Sequence, residues 1–118
     1  MLPTSKPSKF NAKKVEHDGI TFPSKAEARR YLQLKLLVRA GEISELKIQP
    51  RFELVKGVKF TGDARAKPAL RYTGDFSYID KSGHYVLEDV KGMATEAYKI
   101  RRHLMLALLG IEVKEVRK

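Results

Sequence analysis

The stretch that decides the fold runs from Arg71 to Lys91, RYTGDFSYIDKSGHYVLEDVK. Two runs rich in aromatic and β-branched residues, Arg71–Ile79 and His84–Lys91, flank a turn containing Lys81, Ser82 and Gly83. A three-residue hairpin loop favours Gly at its third position, where the backbone turns left-handed. With those three residues as the loop, Asp80 pairs with His84, and paired positions sum to 164. Asp75 then faces Asp89, and directly opposed side chains sit about 5 Å apart at Cβ. Side chains at i and i+2 share a face, so Lys91 joins Asp89. The spacing therefore predicts two carboxylates and one ammonium on one patch of sheet. Glu88 points to the opposite face and is left out of that patch. A register slip of one residue would reverse the choice.

Two carboxylates placed that close repel, and like charges directly opposite each other destabilise a sheet. Lys91 offsets part of the repulsion. A hard divalent cation would offset more, because Mg²⁺ prefers oxygen ligands and takes one or two carboxylates with water and phosphate. The plainer alternative is a surface Asp–Lys pair in a slipped register.

Outward from this hairpin, Ser24–Ala40 reads as a helix. Ser24 caps it and Gly41 ends it. Tyr31, Leu34, Leu37 and Val38 form its inward stripe, and Glu27 begins that stripe. Val15–Phe22 reads as a short hairpin turning at Asp18-Gly19. Ile48–Val55 alternates as a strand, with Pro50 marking an edge or a bulge. Residues 56–70 read as a basic, flexible hairpin or loop. Thr95–Leu109 reads as a second helix, capped by Thr95 and stopped by Gly110, with Ile100, Leu104, Ala107 and Leu108 as its apolar stripe. Ile111–Val116 closes the chain as a strand. Residues 1–12 read as a mobile basic arm, and residues 13–118 as a single α/β domain whose mixed sheet is flanked by helices.

Composition narrows the function. Twenty-four Lys and Arg against fourteen Asp and Glu leave a net charge of +10. Such an excess favours a polyanionic partner, DNA or RNA before others. The absence of Cys excludes disulfides, thiolate metal sites and a thiol nucleophile. No apolar run approaches the roughly 20 residues needed to span a bilayer, and the N-terminus lacks the apolar segment of a signal peptide. The expectation is a soluble intracellular protein with no membrane partner. His17, His84 and His103 read as surface or core-edge residues.

Asp75, Asp89, Val90 and Lys91, in strand–turn–strand context behind a helix that carries Glu27, resemble the PD-(D/E)xK nuclease signature. The stretches NAKKVEHDGITFPSKAEARRY, GEISELKIQPRFEL, RYTGDFSYID and YVLEDVKGMATEAYKIRR are similar to phage-encoded small nucleases related to endonuclease I and Holliday-junction resolvases. Gly74 stands where the superfamily name has Pro. The resemblance implies a restriction-endonuclease-like mixed sheet flanked by helices. It implies a phage endodeoxyribonuclease using Mg²⁺, with Mn²⁺ as a substitute, that leaves a 5′-phosphate and a 3′-hydroxyl. Asp75, Asp89 and the backbone oxygen of Val90 would hold the metal, and Lys91 would act on the attacking water or the phosphate. Glu27 would help hold a second metal or its water shell. Ser24-Lys25-Ala26-Glu27 is also a capping box, in which Glu27 returns to the Ser24 amide, and the two roles can coexist. Gln49 resembles a position near the active site, or else pairs with backbone.

Lys99, Arg101 and Arg102 on the second helix, and Lys56, Lys59, Arg65 and Lys67 in the loop, are candidate phosphate contacts. With no clear base-reading helix, backbone and shape reading are expected over sequence reading. The resemblance points to branched DNA such as a Holliday junction, while a flap, a nick or plain duplex fits a basic groove beside one metal site equally, and for a phage protein the compartment would be the host cytoplasm. Symmetric cutting of two strands would call for a homodimer, although no dimer seam is readable. The alternative from another class is a non-catalytic DNA- or RNA-binding module, which has no need of the Asp75/Asp89/Lys91 patch. A protein-interaction adaptor fits the charge least.

Overall fold

The structure is a computed structural model and describes residues 14–118. The arm expected over residues 1–12 lies outside the described residues. β1 (Val15–His17) and β2 (Ile20–Phe22) pair as a hairpin. Its turn has Asp18 at φ 52° and Gly19 at φ 75°, the left-handed pair that a two-residue turn of matching twist requires. α1 (Lys25–Arg39) follows. The Ser24 hydroxyl accepts the Glu27 N–H at 3.2 Å, and Gly41 at φ 76° ends the helix. Ala28, Tyr31 and Leu34 face inward. The Tyr31 ring packs 5.0 Å from Phe22 and 6.5 Å from Phe76, centroid to centroid.

The next feature is a long, bent antiparallel ribbon. One side is β3 (Ile43–Ile48) and β4 (Arg51–Val55), and the other is β5 (Leu70–Thr73) and β6 (Phe76–Asp80). β3 pairs with β6 and β4 with β5, and the register Ile48↔Phe76 continues as Arg51↔Thr73 across the break. At the bend, the Gln49 N–H donates to Asp75 O at 2.9 Å and the Gly74 N–H donates to Pro50 O at 3.0 Å. This corrects two sequence expectations. The single strand over 48–55 is the outer half of a longer one that begins at Ile43. The single strand over 71–79 is two, parted at Gly74-Asp75. Pro50 has no N–H to continue a ladder, and Gln49 turns to φ 53°, so the ribbon changes direction there without losing register. The bend also accounts for Gly74. A Cβ at this position would lie 2.7 Å from Leu87 Cδ1, and a proline could not donate to Pro50.

β6 runs through the Lys81-Ser82-Gly83 loop into β7 (Tyr85–Lys91). The Asp80 N–H donates to His84 O at 2.9 Å, Gly83 has φ 88°, and Phe76 pairs with Glu88. This is the register that the loop arithmetic predicts. α2 (Glu96–Leu109) then crosses to β8 (Lys114–Arg117), which lies parallel to β7. The result is a mixed four-stranded sheet in the order β3-β6-β7-β8, with helices flanking it. One apolar cluster joins α1 and the N-terminal hairpin to Phe76, Tyr78 and Val90. The other joins α2 to Leu54, Tyr72, Leu87 and Val113. Among the described residues no helix is long and apolar enough to cross a membrane.

α2 departs from its expected stripe. Tyr98 and Met105 are its buried residues, whereas Ile100 and Leu108 are exposed. The helix is apolar on two sides, and periodicity alone does not choose between them. The choice falls to Leu54 and Tyr72 on the bent ribbon, against which Tyr98 and Met105 pack. The closing strand also starts later than expected, at Lys114, and Val113 is buried just ahead of it.

Glu88 faces α1, as the alternation predicts, and its side chain is fully buried. Arg30 Nε and Nη2 reach its two oxygens at 2.8 and 2.6 Å, and the Tyr78 hydroxyl donates at 2.5 Å. Burial alone would raise the Glu88 pKa, but these partners hold it below the usual carboxylate value. A depressed folded-state pKa stabilises the fold above the unfolded value, near 4.5, and that contribution is lost as the pH falls through the folded value. Arg30→Met should therefore cost about 3–5 kcal/mol in urea unfolding at pH 7, because it strands a buried charge. Arg30→Met/Glu88→Leu should recover most of that loss and flatten the acid limb of the stability curve. An Arg30→Met protein as stable as the parent would show that the pair does not hold α1 on the sheet.

Candidate active site

The ribbon bend creates a notch beside β7. β6 stops pairing at Phe76, so the next N–H of β7 on that edge, that of Val90, has no strand partner. The Asp75 carboxylate takes its place, with Oδ2 accepting the Val90 N–H at 2.6 Å. The Asp75 N–H still donates to Glu88 O at 3.0 Å. The Asp75 side chain thus lies along the edge of β7, close to the plane of the sheet. In a strand, the N–H and C=O of one residue point to the same edge, so the Val90 carbonyl also faces the notch. In-plane placement lets Asp75 meet Glu27, carried by α1 on one side, and Asp89 on β7.

Donors hold Asp89 on two sides. The Tyr72 hydroxyl donates to Oδ2 at 2.5 Å, and Lys91 Nζ lies 3.3 Å from Oδ1. Lys91 Nζ also sits 4.2 Å from the centroid of the Tyr98 ring, a cation–π distance that fixes the ammonium over an aromatic face. The Tyr98 hydroxyl donates to Glu115 at 2.8 Å, and Glu115 lies 3.5 Å from Arg102. Lys118 adds a second cation. Its side chain covers Gly92, where an added Cβ would come within 3.1 Å of Lys118 Cδ, and its charge acts favourably on the Glu27 carboxylate.

The electrostatics follow from this crowding. Burial pushes the Asp75 carboxyl up to about 8, and the neighbouring charges of Glu27 and Asp89 add to the rise, against the Val90 hydrogen bond. Burial also raises Glu27; its bonds to Asp75 and Ser24 oppose the shift, and Asp89 repels it further. Tyr72 is pushed well above the usual phenol value, first by burial and then by Asp89. Three carboxyls so placed do not all ionise without a compensating charge.

The four side chains expected to act together, Glu27, Asp75, Asp89 and Lys91, do converge, and Val90 joins through its backbone. Glu27 does not complete the expected capping box: among the described residues its carboxylate meets the Ser24 hydroxyl and not the Ser24 amide. Its N–H is capped by Ser24, and its Oε1 lies 3.4 Å from the Ser24 hydroxyl, while its carboxyl reaches Asp75. Gln49 stands beside the cluster through its backbone bond to Asp75. Lys56, Lys59, Arg65 and Lys67 lie in the segment that links β4 to β5, and Lys67 is 3.8 Å from Asp63. Lys99 is exposed on α2. Arg101 Nε donates to Arg71 O at 2.9 Å, and Arg102 engages Glu115, so both help to seat α2. His84 lies 3.7 Å from Asp80 on the turn, and His103 is exposed. Sequence reasoning missed Tyr72, Tyr98 and Lys118. Tyr72 is three residues from Asp75, but its reach to Asp89 depends on the ribbon bend, which strand alternation does not encode.

Among the described residues no group of three or more His, Cys, Asp and Glu is arranged as a ready-made metal site. The donor chemistry nonetheless fits a hard divalent cation. The set is all oxygen, three carboxyl groups and a backbone carbonyl, the donor type a hard divalent cation prefers.

Residues 7–115 match a family described as "Protein of unknown function (DUF1064)". The chain belongs to the DUF1064 family. No curated protein and no solved structure matches it.

The crowded carboxyls carry a stability cost with a definite sign. Asp75 retains a proton in the folded state that the unfolded chain releases near 3.8. Stability contributed by the protonated group is therefore lost as the pH rises from there through about 8, since the folded state binds more protons across that window. In chelator at pH 8, Asp75→Asn should raise the melting temperature by about 4 °C, because the amide oxygen still accepts from Val90. Mg²⁺ should raise the parent's melting temperature and leave that of Asp75→Asn/Asp89→Asn unchanged. Identical melting curves for parent and Asp75→Asn across pH 5–9 would contradict the crowded cluster.

Proposed function

We propose that this protein is a Mg²⁺-dependent endodeoxyribonuclease that hydrolyses phosphodiester bonds. The observation that carries the reading is the meeting of Glu27, Asp75 and Asp89, with the Val90 backbone and Lys91, at the bend where the ribbon leaves β7. A fold has no structural need to bring three carboxyls into one half-buried notch, and doing so lowers stability. Such clusters mark sites where stability is given up for chemistry.

Asp75 and Asp89, with the Val90 carbonyl, would hold the cation, and Glu27 would hold its water shell or a second ion. The bound cation supplies Lewis-acid polarisation of a phosphate oxygen and lowers the pKa of a water. Tyr72 fixes the Asp89 carboxylate through its 2.5 Å bond. Lys91, held between Asp89 and the Tyr98 ring, presents an ammonium to the attacking water or to the negative charge that builds on the phosphoryl oxygens. Burial raises the Glu27 and Asp75 carboxyls in the protein without a cation, and a bound cation would favour their ionised forms. The net charge of +10 supplies attraction to the DNA backbone. Branched DNA, a Holliday junction included, is the substrate class that the sequence resemblance favours, and a homodimer would serve paired cuts.

The test is cleavage of a panel of labelled linear and branched DNAs with Mg²⁺. Asp75→Asn and Asp89→Asn should each abolish cleavage and keep or improve DNA binding, since each removes a charge that repels phosphate. Lys91→Ala should stop cleavage with the carboxylates intact. Glu27→Gln, which can still meet the Ser24 hydroxyl, should lose tenfold or more, equivalent to about 1.4 kcal/mol of transition-state stabilisation. Asp75→Asn and Asp89→Asn proteins that cleave like the parent would show that cleavage does not arise at this notch, and a parent that binds DNA without cleaving it would leave a non-catalytic DNA- or RNA-binding module as the better account.

A further inference from the structure

The ribbon extends past the active-site notch as an arm. β4 and β5 continue outward, and Val58 and Lys67 form one more bridge beyond them. The arm then closes in a tight turn. The Asp63 N–H donates to Phe60 O at 3.0 Å, the Phe60 N–H donates to Asp63 Oδ2 at 3.3 Å, and Gly62 has φ 91°. This turn puts Phe60 at the tip with 61% of its surface exposed, and Val58 behind it at 49%. An aromatic residue held on an ordered turn and left bare to water has no packing role in this chain. Lys56, Lys59, Arg65 and Lys67 surround it, all exposed. The one acid nearby, Asp63, is taken up by the turn and by Lys67 at 3.8 Å.

We propose that the arm tip is a nucleic-acid contact in which Phe60 stacks on an unpaired or unstacked base, while Lys56, Lys59, Arg65 and Lys67 engage the flanking phosphates. The charge of the rim selects a polyanion over a neutral or basic protein surface, and the exposed ring adds what phosphate contacts alone do not need. Every base has a π face, so such stacking is tolerant of sequence. Apolar side chains also wedge between base steps and open the stack. The arm is rooted at Gly74-Asp75, so its tip and the notch lie on one continuous ribbon. At about 3.3 Å per residue, the tip lies within roughly 35 Å of the notch, about one turn of B-DNA. This inference rests on the nuclease reading only for its choice of DNA, and it is measured without cleavage.

The experiment compares parent, Phe60→Ala and Phe60→Trp in chelator, using two fluorescent DNA duplexes of one sequence. One is fully paired, and the other carries a single unpaired 2-aminopurine. The chain has no Trp, so Phe60→Trp places its sole tryptophan at the tip. Phe60→Ala should lose about tenfold in affinity for the unpaired-base duplex and stay within twofold on the paired one. Phe60→Trp should bind the unpaired-base duplex like the parent, with its emission quenched by stacking. Equal affinities for parent and Phe60→Ala on both duplexes would overturn the proposal, and so would an unquenched tryptophan in the bound complex. A tip that docks protein gives the first of these results. If the parent binds neither duplex the proposal also falls, and the nuclease reading is then judged separately by whether cleavage depends on Asp75 and Asp89. Phe60-dependent binding without any Asp75-dependent cleavage would keep the arm contact and reject the nuclease.

Discussion

The Asp75 carboxylate accepting the Val90 N–H is the interaction on which the site depends. A ribbon that bends away from its neighbour leaves an unpaired strand amide, and an unpaired buried amide costs free energy. Asp75 satisfies it from the side at 2.6 Å. In doing so, a carboxylate is pulled into the plane of the sheet, between the helix that carries Glu27 and the strand that carries Asp89. The same bend swings Tyr72 under Asp89 and gives α2 a surface to rest on, which places the Tyr98 ring under Lys91. Strand geometry, the acid cluster and the position of its lysine share one cause.

The cluster is an electrostatic conflict held in place by good local structure. Glu88, one residue away, shows the contrasting solution. It is buried too, but Arg30 and Tyr78 satisfy both of its oxygens, and its pKa falls where that of Asp75 rises. Glu88 thus carries a resolved charge on the α1 side of β7, and Asp75 an unresolved one at the edge of that strand. The resolved one anchors α1. The unresolved one is the place where an external cation would bring the largest gain.

Much of this was legible in the sequence, and the parts that were not share a physical origin. The Lys81-Ser82-Gly83 loop fixed the β6–β7 register because a left-handed glycine allows few loop lengths, but Asp75 does not face Asp89 as the cross-strand pair expected: it lies ahead of β6, its N–H donates to Glu88 O, and its side chain turns to the Val90 amide. The caps at Ser24, Gly41, Thr95 and Gly110 placed both helices, because cap chemistry is local. The bend was not visible. Pro50 signalled an irregularity, but nothing local says that the ribbon keeps its register through Gln49 and Gly74 while changing direction. The α2 face was misread for the same reason. Of the expected stripe Leu104 packs on the core, but Ile100, Ala107 and Leu108 stay exposed, because the bend offers Leu54 and Tyr72 to the Tyr98 and Met105 side of the helix. Arg30 carried no local signal at all, since its partner lies 58 residues away. Family membership fits the length of the match, residues 7–115, and leaves the chemistry to be read from the site.

The central claim is that the notch beside β7 binds a divalent cation. It is tested most directly by paramagnetic broadening of the backbone amide signals during a Mn²⁺ titration of the parent protein without DNA. Substoichiometric Mn²⁺ should broaden the amides of Asp75, Asp89, Val90 and Lys91 first, then Glu27, and excess Mg²⁺ should restore them. Broadening confined to other acids such as Glu42, Glu53 or Glu112, or none at this notch at millimolar Mn²⁺, would contradict the account.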